Sequence, residues 1–67
     1  MTFRKFYKGH YLCKEDDNLS IKHKDDLWIG YDRRVTEHNH IVAKEKYLKD
    51  IIKEMIRLYA NNIQQED

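Results

Sequence analysis

The sequence predicts an α+β fold in which a three-stranded antiparallel meander packs against one carboxyl-terminal amphipathic helix. Apolar and polar residues alternate through the first half of the chain, which is the two-residue period of strands with one wet face. From residue 41 onward the apolar spacing becomes helical. The 67 residues leave room for one domain, with the sheet over about 3–35, the helix over about 41–61 and a short polar tail over 62–67.

Turn-forming acidic residues separate the three predicted strands. The first strand covers residues 3–14, and the cluster 15–18 ends it because Asp and Asn side chains bond to nearby backbone groups. The second strand covers residues 19–24, and Asp25-Asp26 forms the next turn. The third strand begins at residue 27 and runs toward 35. These segments predict a simple meander.

The same alternation assigns side chains to two faces of the predicted sheet. The apolar face collects Phe3, Tyr7, Tyr11, Cys13, Leu19, Ile21, Leu27, Ile29 and Tyr31. The wet face collects Arg4, Lys8, His10, Lys14, Lys22, Lys24, Trp28 and Arg34. Phe6 and Leu12 also fall in the wet phase, and a β-bulge near Gly9 would rephase part of the first strand.

A basic sheet face with one large aromatic residue is typical of a surface that contacts phosphates. The first functional hypothesis is therefore a small non-enzymatic regulatory protein that binds nucleic acid through this face. The predicted contacts are Arg4, Lys8, Lys14, Lys22, Lys24, Trp28 and Arg34. In the competing interpretation the Lys and Arg residues only keep the face soluble, and Trp28 packs at the edge of the core.

The predicted helix suggests a second function. Its apolar residues fill about half of the helical circumference, which is wider than the roughly 100° stripe that one sheet contact needs. Either the strands wrap around the helix or a second copy covers the excess, so a monomer and a weak homodimer both remain open. The second hypothesis is a protein-binding inhibitor or adaptor of a host factor, with Ile56, Leu58 and Ile63 at the contact.

Catalytic patterns are not recognisable in the sequence. Cys13 falls in the apolar phase, where a thiol is inert. The pairs Asp16-Asp17 and Asp25-Asp26 lie in predicted turns, without a second carboxylate held opposite on a rigid element. A glycine-rich phosphate loop is absent. We expect a protein that is not an enzyme and needs no cofactor.

Potential metal ligands are present, but their spacing is unsuitable. The candidates are His10, Cys13, His23, His38 and His40. The spacing matches no standard zinc module, and the strand period puts His10 and Cys13 on opposite faces of the sheet. No metal site is therefore expected.

Composition gives expectations about origin and location. The chain has one cysteine and no apolar stretch of the length that a secretory signal or a membrane span requires. We expect a cytoplasmic protein without a membrane partner. The abundance of Lys, Ile, Asn and Tyr in so short a chain is typical of an accessory gene of a phage or mobile element.

Two short stretches carry a resemblance to a known family. Gly-His-Tyr-Leu-Cys at 9–13 lies in the first predicted strand, and Ile-Gly-Tyr-Asp-Arg-Arg at 29–34 ends the third, before the helix. Over roughly 7–59 the chain resembles the arm-type DNA-binding domain at the amino end of phage and transposon tyrosine integrases. The resemblance implies a three-stranded sheet that enters the major groove of DNA. It further implies that the basic residues of the wet face contact phosphates and bases, with Trp28 packed against the DNA backbone.

Overall fold

In a computed structural model the chain forms an antiparallel sheet of five strands with one helix on one face. The structure describes residues 1–64, with side chains through residue 59. The elements are β1 (Phe3–Tyr7), β2 (His10–Cys13), β3 (Leu19–Lys24), β4 (Leu27–Asp32), β5 (Ile41–Glu45) and α1 (Leu48–Gln64). Each strand pairs with its neighbour in sequence. The predicted α+β class with a carboxyl-terminal helix is confirmed, and the predicted number of strands is wrong.

The predicted first strand is in fact a hairpin. β1 and β2 are joined by a two-residue turn, Lys8-Gly9, with Tyr7 paired to His10. Gly9 has a φ of 73°, a left-handed conformation that glycine adopts without steric penalty. The turn places Tyr7 and His10 on the same face, and a one-residue register shift between Lys5 and Tyr7 compensates for it, so odd-numbered residues keep one face in both strands. One strand of twelve residues was therefore predicted where two short strands exist.

The start of the predicted helix is the fifth strand. Ile41–Glu45 pairs antiparallel with β4, and the helix begins only at Leu48. The β-branched side chains of Ile41 and Val42 favour a strand. The helix continues to Gln64, so the predicted polar tail begins inside it; residues 65–67 lie outside the described part of the chain.

Both edge strands contain a bulge. In β1, Lys5 pairs with Tyr11 and Tyr7 with His10, which leaves Phe6 as an extra residue. In β5, a similar shift leaves Val42 without a counterpart in β4. A bulge changes the direction of side chains and increases the local twist. The prediction of a bulge in the first strand is correct in kind, but the bulge lies at Phe6 and not at Gly9.

The core lies between the helix and one side of the sheet, which we call the helix face. Its fully buried side chains are Cys13, Leu19, Ile21, Ile51 and Met55. Ile51 and Met55 are one helical turn apart and therefore point to the same side of α1. No helix within residues 1–64 is long and apolar enough to cross a membrane.

The helix packs closely against the sheet at Gly30. A Cβ atom on this residue would lie 2.5 Å from Sδ of Met55 and 3.3 Å from its Cγ. Such a distance is well inside the contact distance of two heavy atoms, so any side chain at position 30 would displace Met55. The absence of a side chain at Gly30 therefore allows Met55 of the helix to lie against β4.

The strand phase predicted for β4 is reversed in the structure. Because Ile21 pairs with Gly30 and Leu19 with Asp32, Gly30 and Asp32 lie on the helix face. Ile29 and Tyr31 consequently point to the opposite side of the sheet. Gly30 and Asp32 resemble wet-face residues in the sequence, yet both are buried in the structure.

The turn between β3 and β4 offers a test of backbone strain. Asp25 and Asp26 have φ values of 53° and 63°, as a type I′ turn requires, and glycine is favoured at its second position. We predict that Asp26→Gly raises the free energy of unfolding by up to about 1 kcal/mol, which corresponds to a Tm increase of roughly 4–8 °C. Thermal unfolding followed by circular dichroism measures this.

The matched control is Asp17→Gly, because Asp17 lies in the loop before β3 and does not have a positive φ. Glycine there only increases the conformational entropy of the unfolded chain, so Tm should stay constant or fall. An equal rise of Tm in both variants would contradict the assignment of strain to Asp26.

Candidate nucleic-acid interface

The side of the sheet that the helix leaves uncovered, which we call the open face, carries a set of basic side chains. Strand pairing arranges it in rows that cross the sheet. One row aligns Arg4, Leu12, Ser20, Tyr31 and Ile41, and the next aligns His10, Lys22, Ile29 and Lys44. Lys24 lies one step further along β3. The open face is therefore a mixed surface of long cations and apolar groups.

The carboxylates of the strands do not lie on this surface. Among the strand residues that the structure describes, the acidic ones are Asp32 and Glu45, and both pair in register with helix-face residues. Asp17 lies at the rim, beside Leu12 and Arg33. With the strand carboxylates on the helix face and Asp17 at the rim, the excess of cations gives this face a positive potential, although the net charge of the whole chain is only +1.

A shallow hollow of about 240 Å³ lies in the open face. Ser20 is at its centre, because its cross-strand neighbours on the two sides are Leu12 and Tyr31. The small serine side chain leaves space between these two larger groups. The hollow is further lined by Phe6, His10, Lys22, Arg33 and His40. A planar group entering it would meet aromatic, apolar and basic side chains together.

Aromatic side chains are exposed at one end of the hollow. The side chain of Phe6 is 65% exposed, and its ring meets that of His10 edge-on at a centroid distance of 6.3 Å. Tyr7 lies 5.4 Å from the same imidazole. Alternation places Phe6 on the open face next to the helix-face residue Lys5, and the bulge explains why Tyr7 lies on the open face as well. Exposed large apolar groups are costly in water and often mark a contact surface.

A strained turn brings His40 to the hollow. His38, Asn39 and His40 have φ values of 54°, 56° and 70°, which L-residues adopt only at a steric cost. Nδ1 of His40 lies 2.7 Å from the carbonyl oxygen of Val35, and this contact closes the turn. The turn, Glu37–His40, holds His40 beside Arg33 at the rim of the hollow.

Three of the predicted nucleic-acid contacts meet on the open face. These are Arg4, Lys22 and Lys24, which lie on β1 and β3. Lys8 lies in the turn before β2, and Lys14 follows β2 and lines a shallow depression together with Arg4. The two lysines thus extend the basic surface at the two ends of β2.

Trp28 does not lie on the open face. It pairs with His23, and the two rings are in contact with centroids 4.6 Å apart and planes tilted by 42°. Its indole also meets Tyr11 at 5.9 Å, on the side of the sheet that packs against the core. The competing interpretation of Trp28 as a packing residue at the core edge is correct. The reversed phase of β4 accounts for the wrong placement.

Arg34 is also directed away from the open face. Its guanidinium donates to Asp16 Oδ2 at 2.9 Å and, through Nε, to Asp32 Oδ1 at 3.0 Å. The hydroxyl of Tyr59 donates to Asp32 Oδ2 at 2.7 Å. Arg34 therefore links the loop before β3 to the end of β4, and Tyr59 connects this cluster to the helix.

The protonation of this cluster follows from its hydrogen bonds. Asp32 is only 4% exposed, and burial raises its pKa. The hydrogen bonds from Arg34 and Tyr59 outweigh burial and leave the pKa of Asp32 below its ordinary value. Burial, together with the bond to Asp32, raises the pKa of Tyr59. The cluster is thus a buried carboxylate that accepts hydrogen bonds from two residues, Arg34 and Tyr59, and it stabilises the fold.

Several residues of the open face were missed in the sequence. Lys44 was assigned to the helix, and Tyr31 was assigned to the core. Phe6 and Leu12 were recognised only as exceptions to the wet phase. Their presence between lysines is the sequence signal that would have indicated a mixed surface.

The three side chains that the protein-binding hypothesis names do not form one exposed surface among the described residues. Ile56 is 36% exposed, and Leu58 is half-buried. Ile63 lies beyond the side chains that the structure describes. One exposed isoleucine gives little apolar area for a partner.

Ligands for a metal ion do not converge. His10 lies on the open face, whereas Cys13 is buried on the helix face and donates to Glu15 Oε1 at 3.5 Å. Over the residues described, no three His, Cys, Asp or Glu side chains come close enough to hold a metal ion.

The Thr2 backbone amide, which donates to Glu15 at 2.7 Å, lowers the pKa of Glu15 to about 2.

Comparison of the chain with protein-family models, with curated proteins and with solved structures gave no match. The resemblance to the integrase arm-type domain therefore stays a prediction.

Loss of the Tyr59 hydroxyl tests the buried cluster. We predict that Tyr59→Phe lowers the free energy of unfolding by about 1.5–3 kcal/mol, because a hydrogen bond to a charged, buried acceptor is lost. Urea unfolding monitored by Trp28 emission measures it. The control is Tyr47→Phe, at a residue that is 55% exposed, which should change stability by less than about 0.5 kcal/mol. Equal losses in both variants would contradict this role of Tyr59.

Acid should weaken the same cluster. Because the pKa of Asp32 is lower in the folded state, its ionised form contributes stability above the unfolded pKa of about 4, and this is lost as pH falls through the folded pKa. We predict that Asp32→Asn is less stable than the wild type by about 1–3 kcal/mol at pH 7, with the difference shrinking toward pH 2. Urea midpoints at pH 7, 4, 3 and 2 measure it; a constant difference would contradict the assignment.

Proposed function

We propose that this chain is a non-enzymatic protein that binds nucleic acid through the open face of its sheet. The observation that carries the proposal is the separation of charge. Arg4, His10, Lys22, Lys24 and Lys44 project from the strands on one side, and the described strand carboxylates lie on the other. Phosphate groups are the anions that such a surface recognises over an extended area.

The spacing of the cations suits a polyanion. Lys22 and Lys24 are two residues apart on one strand, so their Cα atoms are about 7 Å apart. Lys44 is two strands away from Lys22 in the same row, at about 10 Å. Flexible lysine side chains can cover the remaining distance to successive phosphates. Lys8 and Lys14 extend the surface at its ends.

A triple substitution on the open face tests the proposal. We predict that Lys22→Gln, Lys24→Gln and Lys44→Gln together weaken binding to a mixed-sequence oligonucleotide at least 10-fold. The slope of log K against log salt should fall by about 2–3, because up to three phosphate contacts are lost. Fluorescence anisotropy of labelled oligonucleotides at several salt concentrations measures both quantities.

The matched control is the triple substitution Lys46→Gln, Lys49→Gln and Lys53→Gln. It changes the net charge by the same amount at exposed positions on and beside the helix. Binding should stay within about 3-fold of the wild type, because the helix lies on the other side of the sheet. Equal weakening in both triple variants would mean that only total charge matters. Absence of salt-dependent binding to any oligonucleotide would overturn the proposal and favour a protein partner.

Trp28 supplies an internal check in these titrations. It packs on the helix face against His23 and Tyr11. Its emission therefore reports folding and should stay nearly constant during binding. An unchanged emission in each variant also shows that the substitution leaves the fold intact.

A further inference from the structure

We infer that the nucleic acid bound on the open face is single-stranded and that one of its unpaired bases enters the hollow around Ser20. This inference rests on the proposed function and makes it more specific. It depends on three features of the described residues: the width of the sheet, the exposed rings and the shape of the hollow.

The width of the sheet argues against contact with a duplex groove. Five strands have four spacings of about 4.8 Å, so the open face is about 19 Å across before side chains are added. The major groove of B-form DNA is about 12 Å wide and accepts a helix or a two-stranded ribbon. The whole face cannot enter this groove. A flexible single strand can instead lie across the face and follow its twist.

The exposed rings argue for unpaired bases. In a duplex the flat faces of the bases are covered by stacking, so a duplex offers mainly phosphates and groove edges. The exposed ring of Phe6 and the partly buried ring of Tyr31 border the hollow and would find no stacking partner on such a surface. An unpaired base presents its flat face, and stacking on aromatic side chains is the usual way in which proteins hold single strands.

The hollow has the size and lining for one planar group. Its volume of about 240 Å³ is below the roughly 300–1,000 Å³ of pockets that enclose drug-sized ligands. Leu12 and Tyr31 flank the small Ser20 at its floor. Lys22 and Arg33 lie at the border, where they can bind the phosphates on either side of an inserted base.

The first experiment compares strand states at equal sequence. Labelled 12-nucleotide single strands, in DNA and in RNA form, and the corresponding 12-base-pair DNA duplex are titrated with the full chain. We expect both single strands to bind at least 10-fold more tightly than the duplex, since rings and phosphates are common to DNA and RNA. Duplex binding that equals or exceeds single-strand binding would overturn the inference and leave the proposed function intact. No binding in any form would overturn both.

The second experiment changes the hollow without changing charge. Phe6→Leu removes an exposed ring, and we expect roughly 5-fold to 150-fold weaker single-strand binding, the range for loss of one stacking contact. Ser20→Ile fills the centre of the hollow with a residue that strands accept readily. It should reduce single-strand affinity at least 5-fold while duplex affinity stays within 2-fold.

The control removes a ring elsewhere. Tyr47→Leu alters a side chain that is 55% exposed near the start of the helix, on the far side of the sheet from the hollow. Its binding should equal that of the wild type. Trp28 emission and the urea midpoint verify that each variant is folded. If folded Phe6→Leu and Ser20→Ile both bind single strands as the wild type does, base insertion into the hollow is excluded.

Discussion

The contact between Met55 and Gly30 determines how the chain is arranged. Because position 30 has no side chain, the helix can lie directly against β4 and bury Ile51 and Met55 on the sheet. Within residues 1–64, one helix covers one side of the five-stranded sheet, and the other side is left uncovered. The helix face therefore contains the core, and most side chains of the open face are not constrained by packing against the helix.

The sequence predicts elements well where the local period is unambiguous. β3, β4 and the turn between them were placed correctly, because alternating residues are separated there by Asp25-Asp26. The hairpin at Lys8-Gly9 was missed because the bulge in β1 and the two-residue turn each shift the alternation by one residue, so the two shifts cancel and odd-numbered residues face the helix in both 3–5 and 11–13. The sequence pattern predicts a helix over β5, because the apolar residues of β5 continue into the apolar pattern of α1. The true boundary depends on pairing with β4, and local pattern does not encode that pairing.

The site was predicted in part for similar reasons. Arg4, Lys22 and Lys24 were found because charged residues in a regular strand rarely point into a core. For β4 the pattern predicts the wrong face for each side chain, since Gly30 and Asp32 are residue types that are normally exposed. Gly30 is buried because Met55 of the helix occupies the space that a side chain would take there. Asp32 is buried because Arg34 and Tyr59 donate hydrogen bonds to its carboxylate. Both causes are tertiary contacts, which a strand pattern alone does not show.

The order of the strands has a consequence for how the chain reaches its native state. Since every strand pairs with the strand next to it in sequence, each pairing closes only a short segment of chain. Short closures lose little chain entropy before contacts compensate for it, and folds of low contact order form quickly. Hairpins can therefore assemble from any starting point along the sheet, and the helix, which follows all five strands, completes the core when it docks.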